Sequence, residues 1–419
     1  MSGADTMNAD MTHLTRTDRQ SLMALRNVPA SVKLTGLALL SADTGTLLMR
    51  LPGDAPVLRF GGEKPGPHAE IEVHDMDFAR RSIAGGDIGF AESYMDGQWS
   101  TPDLTAVLEF FGENFDRTRR LAIGGRVVRF VNGLRHTLAR RNTRRGARRN
   151  ILAHYDLGND FYAEWLDPSM TYSSGIYASE NTSLEQAQKA KYLAILDQIG
   201  AGPDSHILEI GCGWGGFAEI AAGERGARVT CLTLSDAQAD YARRRMAAAG
   251  LSDRVEIRIE DYRDTSGQYD GVASIEMFEA VGESYWPSYF SKIEEVMKPG
   301  GKAALQIITI RDDLFERYRK RADFIQQYIF PGGMLPSEKR LVEEFDRAGL
   351  AFDAKQMFGL SYARTLKEWQ RRFEDAWSRI EPMGFDEGFR RMWKFYLSYC
   401  EAGFLSKRID VGQFVLSKA

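Results

Sequence analysis

Between His206 and Ala222 the chain reads HILEIGCGWGGFAEIAA. An apolar run carries one acid, Glu209, and passes into Gly211, Gly213, Gly215 and Gly216, after which small and apolar residues fall at helical spacing. Residue types in this order make a strand, a tight turn and a helix built to hold a small molecule. Gly211, Gly213 and Gly216 also satisfy G-x-G-x-x-G, the spacing that lets a backbone approach a dinucleotide pyrophosphate. Glu209 argues against that ligand: a carboxylate beside the turn repels a pyrophosphate and attracts an ammonium or sulfonium group. A nicotinamide site also wants an acid at the tip of the second strand for the ribose hydroxyls. That tip here reads LTLSDAQ, with Thr233, Ser235 and Gln238 as polar candidates and Asp236 later, at a helix start, where a cap is the plain reading. Both features favour S-adenosylmethionine over NAD.

Two further acidic stretches fall at strand tips. In EDYRD, Asp261 suits an adenine amino group and Tyr262 its ring face. A helix cap beside a packed aromatic fits those two residues equally well. In SIEMFEAVGE, Glu276 and Glu279 lie near the carboxyl edge of the same sheet. Solvated surface acids are the ordinary reading; beside a methyl donor, an acid would tune a base or bind a polar cofactor.

The elements that must position these residues follow from periodicity. From about residue 150, the strand candidates HILEIG, RVTCLTLS, RVEIRIED, YDGVASIEM and GKAALQIITI alternate with helical stretches such as DAQADYARRRMAAAG and YWPSYFSKIEEVM. Such alternation predicts an α/β fold, a parallel sheet covered by helices, with ligands at the carboxyl ends of the strands. Upstream, residues 31–112 predict a small α+β domain. GTLLMRLP, PVLRFGG and HAEIEVHD read as strands, DFARRSIAGG and DLTAVLEFFGENF as helices. Residues 1–30 are polar, without an apolar signal core, and are expected to form a disordered tail.

Between Arg117 and Arg149 lie twelve arginines and no Asp, Glu or Lys, although the whole chain of 419 residues carries a net charge of −4. Val127, Phe130, Val131, Leu134 and Leu138 fall on one helical stripe of this segment, so residues 113–150 predict an arginine-rich amphipathic linker helix. It could lie on an anionic membrane, where each basic residue adds about 1 kcal/mol. It could equally pack its stripe on the protein and leave the arginines solvated. A single aromatic argues against nucleic acid as the partner. Three cysteines without CxxC spacing, and six histidines without an HxxxH pair, argue against a disulfide framework and a metal site. A reducing cytoplasm is the expected compartment.

The stretch HYDLGNDFYAEWLDPSMTYSSGIY from His154 to Tyr177, with LEIGCGWGG, LTLSDAQ, MFEAVG and YIFPGGMLPS in that order, resembles the cyclopropane-fatty-acyl-phospholipid synthases, relatives of the mycolic acid cyclopropane synthases. The resemblance covers about residues 150–419 and, more loosely, the N-terminal module. It implies a class I methyltransferase, a Rossmann-like sheet with helical lid insertions, over residues 151–419. It further implies methyl transfer from S-adenosylmethionine to the cis double bond of a phospholipid acyl chain, a cyclopropane product, a peripheral place on the inner membrane surface, and a homodimer. Carried over residue by residue, the donor site comprises Tyr172, Ser173, Glu209, Gly211, Gly213, Gly215, Thr233, Leu234, Gln238, Asp261, Tyr262 and Ile275.

The resemblance also implies a bicarbonate ion acting as general base, with side-chain ligands at Ser174, Glu279, Gln306 and Tyr362. Two of the four depart from the family pattern, which has Cys at Ser174 and His at Gln306; a third change puts Ala280 where His is frequent. Those losses put the anion site in doubt and keep two alternatives open: a methyl-branched or methylene product, and a member acting on an unusual lipid without methyl transfer. A methyltransferase for a soluble or carrier-bound substrate is a further competing class. Cys400 matches a cysteine to which the resemblance attaches a catalytic role. It shares a stripe with Phe389, Met392, Trp393, Tyr396 and Phe404, and no base at suitable spacing activates it, so a core or acyl-tunnel position is the expectation. Methyl transfer to an alkene leaves a carbocation, which aromatic faces stabilise; Tyr172, Phe278 and Tyr362 are the candidates.

Overall fold

The computed structural model describes residues 15–118 and 157–418. The chain divides into two compact units, Met1–Val131 with Glu387–Phe395, and Asn132–Asp386 with Tyr396–Ala419.

The first unit holds a four-stranded sheet of β1 (Thr44–Arg50), β2 (Leu58–Gly61), β3 (Lys64–Val73) and β4 (Trp99–Ser100), in the order β2-β1-β3-β4. The three longer strands are those the alternation predicts. Helices Asp77–Gly85 and Leu104–Glu113 are also where expected, and the intervening helix Asp87–Met95 was not foreseen. Asn114, fully buried, ties the end of the last helix to β1: its side chain accepts from the amides of Asp43 and Thr44 and donates to the carbonyl of Thr44. Residues 15–30, expected within the tail, include the helix Arg19–Ala24, started by an Asp18–Ser21 capping box and anchored by buried Leu22. Arg117 is ion-paired to Asp43 at 2.8 Å. The remainder of the arginine segment, residues 119–150, lies outside the described residues, as do residues 154–156 of the first resemblance motif.

The second unit carries a seven-stranded sheet ordered β10-β11-β9-β8-β5-β6-β7. Its strands are β5 (His206–Ile210), β6 (Arg228–Thr233), β7 (Val255–Ile259), β8 (Tyr269–Ile275), β9 (Met297–Ile310), β10 (Ala351–Met357) and β11 (Ile409–Ser417). The five strands predicted from alternation are all present and mutually parallel. The sheet is nevertheless not wholly parallel, because β11 pairs antiparallel with β9 and β10 antiparallel with β11. β5 lies between β6 and β8, so the order reverses there, and the carboxyl end of a strand at such a switch point is where α/β sheets bind ligands. One face is sealed by Trp286, Tyr289, Phe290 and Ile293 of the helix Trp286–Val296, the other by Phe217, Ala218 and Ala221 of the helix Gly216–Arg225.

Candidate active site

β5 delivers the chain into its turn with Gly211, Gly213 and Gly215 all at positive φ (84°, 50° and 83°). Glycine tolerates that conformation without steric cost. A Cβ on Gly211 would lie 2.6 Å from Met277 Cγ, so the turn abuts the residue after Glu276. A Cβ on Gly213 would meet nothing within 4 Å, so the turn faces open space there. Glu209 is buried beneath the turn and accepts from the Cys231 thiol at 3.4 Å. Burial pushes its carboxyl up to about 7, against the pull of Lys191 and Arg245, so a cationic ligand group above the turn would restore its charge.

At the tip of β6, Ser235 rather than Asp236 caps the following helix, its side chain accepting from the amide of Gln238. Asp236 is exposed in the first turn. Thr233 Oγ1 donates to Gln238 Oε1 at 3.1 Å, and Leu234 is half-buried beside them. Past β7, Asp261 is held by Arg263 through two side-chain contacts of 2.8 and 2.5 Å, so its carboxylate is engaged within the chain. Tyr262 packs edge-on against Tyr289, and burial raises its hydroxyl to about 12. Ile275 ends β8 half-buried.

At the mouths of β8 and β9 the structure departs from the expected ligand set. Ser174, Gln306 and Tyr362 do come together, but around Glu276 rather than Glu279. Glu276 Oε1 accepts from the Ser174 amide and from Gln306 Nε2, both at 2.8 Å, and its Oε2 accepts from the Tyr362 hydroxyl at 2.6 Å. The Ser174 hydroxyl is turned away, donating to the Gly175 carbonyl. Glu276 sits at φ 50°, a left-handed conformation that costs a non-glycine residue about 1–2 kcal/mol. Burial raises its carboxyl above the usual range, while Tyr362, Ser174, Gln306 and Lys191 pull it down. Glu279 Oε1 accepts from the Ile308 amide at 2.6 Å, and its Oε2 is shielded from solvent without a partner. Burial and the neighbouring Glu276 push the Glu279 carboxyl up to about 8. The two acids differ in their partners: Glu276 receives three donors, whereas Glu279 receives one and keeps its second oxygen without any.

Aromatic rings connect to this acid through Tyr362, which packs against Trp369. Tyr172 shares a 2.7 Å hydrogen bond with Tyr396 and packs against Trp165 and Trp369 (ring centroids 5.6 and 5.2 Å away). Phe330 lies 6.5 Å from Tyr172, and Tyr362 stacks on Phe404 at 4.6 Å. Tyr162 joins this group to the glycine turn, touching both Tyr172 and Trp214. Phe278, the third expected cation stabiliser, does not belong to it: its ring is buried in the core against Trp286, Tyr289 and Phe290. Burial raises the Cys400 thiol, helped by the negative charges of Asp323 and Glu276, away from the thiolate a nucleophile requires.

Sequence reasoning missed Lys191. It is fully buried in the helix Leu184–Gln198, where its ammonium donates to Ser173 Oγ at 2.6 Å and Gln188 Oε1 at 2.8 Å. Burial lowers it to about 7 against the attraction of Glu276, Asp167 and Glu209. Its signal was present in LEQAQKAKYLAILDQ: Lys191 falls on the stripe of Leu184, Ala187, Ile195 and Leu196, where a core residue belongs.

Residues 142–414 match the family model for mycolic acid cyclopropane synthetase. The chain belongs to this family. It is 42% identical over 356 residues, 82% of both chains, to the tuberculostearic acid methyltransferase of Mycobacterium tuberculosis. It is 34% identical over 360 residues to the cyclopropane-fatty-acyl-phospholipid synthase of Escherichia coli K12, covering 84% of this chain and 88% of that one. A solved mycolic acid cyclopropane synthase complexed with SAH and CTAB superposes with a TM-score of 0.61 at 29% identity, over 65% of this chain and 98% of the other. As a member of the mycolic acid cyclopropane synthetase family, the protein is an S-adenosylmethionine-dependent methyltransferase of the class I fold, as the glycine turn with Glu209 and the β6 tip indicate. Among the described residues no helix is long and apolar enough to cross a membrane, and no cluster of candidate metal ligands occurs.

Proposed function

We propose that this methyltransferase alkylates the cis double bond of an unsaturated acyl chain in a membrane phospholipid. The observation that carries the reading is the aromatic cluster of Tyr172, Trp369, Phe330, Tyr396 and Tyr362, which meets the Glu276 carboxylate through the Tyr362 hydroxyl and the glycine turn through Tyr162. The donor supplies an electrophilic methyl on a sulfonium. An alkene is a poor nucleophile, so the cluster's first task is to hold it in line, an effect worth about 7–11 kcal/mol. The carbocation that follows must be kept from water, and desolvated aromatic faces stabilise it by about 2 kcal/mol or more.

Donor contacts are assigned to Tyr172, Ser173, Glu209, the turn at Gly211, Gly213 and Gly215, Thr233, Leu234, Gln238, Tyr262 and Ile275. Asp261 serves the adenine through whatever accepting capacity Arg263 leaves it. Tyr362, Gln306 and Ser174 hold the base.

Which proton leaves the cation decides the product. Loss from the new methyl closes a cyclopropane; loss from a neighbouring chain carbon gives a methyl-branched alkene; a hydride shift followed by loss from the methyl gives a methylene chain. The higher identity to a relative named a tuberculostearic acid methyltransferase than to one named a cyclopropane synthase favours the branched or methylene outcome, with the ring as second reading. The arginine segment is assigned to an anionic bilayer surface.

Purified protein, methyl-labelled donor and bilayers of cis-unsaturated phospholipid test the reading. Label is expected in the lipid, and its absence with donor binding intact would refute it. NMR of the labelled chain separates ring from branch. Flotation with vesicles is expected to strengthen with anionic lipid and to weaken when arginines between 119 and 149 are neutralised.

A further inference from the structure

Three residues assigned by resemblance to hold a bicarbonate already meet an acceptor within the chain, Ser174 through its backbone and the other two through their side chains. The Ser174 amide, the Gln306 amide nitrogen and the Tyr362 hydroxyl all donate to the two oxygens of Glu276, at 2.6–2.8 Å. The fourth, Glu279, has one oxygen occupied by the Ile308 amide. The position of Gln306 is equally committed. Its Nε2 also reaches the Ser174 carbonyl at 3.3 Å, and its Oε1 accepts from Gln413 Nε2 at 3.1 Å. Gln413 in turn donates to the Lys191 carbonyl and accepts from Gln198. Gln306 and Gln413 are opposite each other in the β9–β11 register and are fully buried, so this chain of amides is locked. Ser174, the second departure from the family pattern, gives its hydroxyl to Gly175 and only its backbone to the site. The residues therefore do not fit a bound bicarbonate, because a carboxylate of the chain stands among the donors.

Given the methyl-transfer reading, we propose that the Glu276 carboxylate takes the place of the bicarbonate and is the general base of this enzyme. A carboxylate offers about four lone-pair positions. Oε1 uses two, for Ser174 and Gln306, and Oε2 uses one, for Tyr362, which leaves one on Oε2 for a proton. The left-handed backbone at residue 276 is what brings the side chain under these donors. In the step, a C–H bond beside the cationic carbon breaks. Its electron pair forms the new C–C bond of a ring or the C=C bond of a branched chain, and the proton bonds to Glu276 Oε2. The proton passes to water after the product leaves, so the turnover balances as donor plus alkene giving demethylated donor, methylated or cyclised chain and one proton.

Two measurements test the proposal. Turnover of the wild-type protein in buffer stripped of carbon dioxide is expected to equal that in millimolar bicarbonate within twofold; dependence on added bicarbonate would overturn it. Titration calorimetry with bicarbonate, which needs no lipid, is expected to show no saturable binding to the wild type; saturable binding would overturn it even if the acyl substrate were wrongly assigned. Glu276→Gln keeps the shape and most hydrogen-bonding groups, and is expected to lose at least about a hundredfold in turnover, the low end of general-base contributions, with donor binding kept. Glu276→Gly suits the left-handed backbone, and is expected to gain bicarbonate binding by calorimetry and to recover turnover as bicarbonate is added. A Glu276→Gly protein that binds donor but gains neither would refute the substitution of one carboxylate for the other.

Discussion

The Tyr362 hydroxyl donates to Glu276 Oε2 at 2.6 Å, across 86 residues of sequence. The helix Gly359–Ile380 supplies the tyrosine and the end of β8 the acid. A hydrogen bond to the charged form lowers a carboxyl pKa, so Tyr362 offsets part of the upward push of burial on Glu276. Lys191 pulls the Glu276 carboxyl the same way. Tyr362→Phe is therefore expected to shift the acid limb of the pH–rate profile to higher pH. Turnover at neutral pH should fall about tenfold, the scale of one hydrogen bond to a charged group. An unmoved acid limb would remove Tyr362 from the base site.

Glu279 gives a prediction with a definite sign. Its folded carboxyl is raised to about 8 from an ordinary value of 4.5. Over that window the folded protein holds a proton that the unfolded chain releases. Stability from this group is therefore present below about 4.5 and lost as pH rises towards 8. Glu279→Gln removes the dependence. Urea unfolding at several pH values should show the variant gaining on the wild type between about pH 4.5 and 8, with no further gain above. Because Gln resembles the neutral acid, this variant should also lose less turnover near neutral pH than Glu276→Gln.

The contrast between these two acids shows how far the sequence could be read. The parallel strands were legible because each is a short apolar run bounded by turns, and the donor turn because glycine spacing and Glu209 act locally. β10 was not, because it lies at the sheet edge and AFDAKQM is largely exposed, which leaves no apolar alternation to find. Glu276 and Glu279 stand three residues apart. Which of them meets Ser174, Gln306 and Tyr362 depends on one left-handed backbone position and on donors from three distant segments, and spacing within SIEMFEAVGE does not encode that. Lys191 was missed for a simpler reason: a lysine on an apolar stripe is ordinarily snorkelling to solvent, and here a serine and a glutamine receive it inside.

Gly211 and Gly213 should respond differently to alanine. Both have positive φ, so each substitution strains the backbone by about 1–2 kcal/mol. Gly211→Ala also drives a methyl to within 2.6 Å of Met277 Cγ, beside Glu276, and should lower both stability and turnover. Gly213→Ala meets open protein space, so its loss of stability should stop at the backbone term. Its methyl would stand where the donor is assigned, and donor affinity should fall at least tenfold. Thermal unfolding with and without donor separates the two effects.

Cys400 is expected to be dispensable for chemistry. Burial and nearby negative charge keep its thiol protonated, and a protonated thiol is a poor nucleophile. Cys400→Ala should retain turnover within about threefold, the change being confined to packing near Tyr396 and Tyr362. Loss of a hundredfold or more in a folded variant, or an intermediate covalently attached at Cys400 by mass spectrometry, would reverse this assignment.

Lys191→Met tests whether a buried charge tunes the base from behind. The lysine is lowered to about 7 from 10.5 chiefly by burial, so between those values the unfolded chain holds a proton that the folded protein has released. Burying it therefore costs stability near neutral pH, and the cost fades as pH rises towards 10.5. Relative to the wild type, the methionine variant should be most favoured at and below about pH 7 and progressively less so above it. Against that stands the loss of two donors, which leaves Ser173 Oγ and Gln188 Oε1 without the ammonium. The decisive readout is catalytic: Lys191 pulls the Glu276 carboxyl down, so its removal should move the acid limb of the pH–rate profile upward, in the same direction as Tyr362→Phe. A residue that only filled space would lower turnover at every pH alike and leave that limb in place, whereas Lys191→Arg, which keeps the charge, should restore the limb to the extent that the larger head fits.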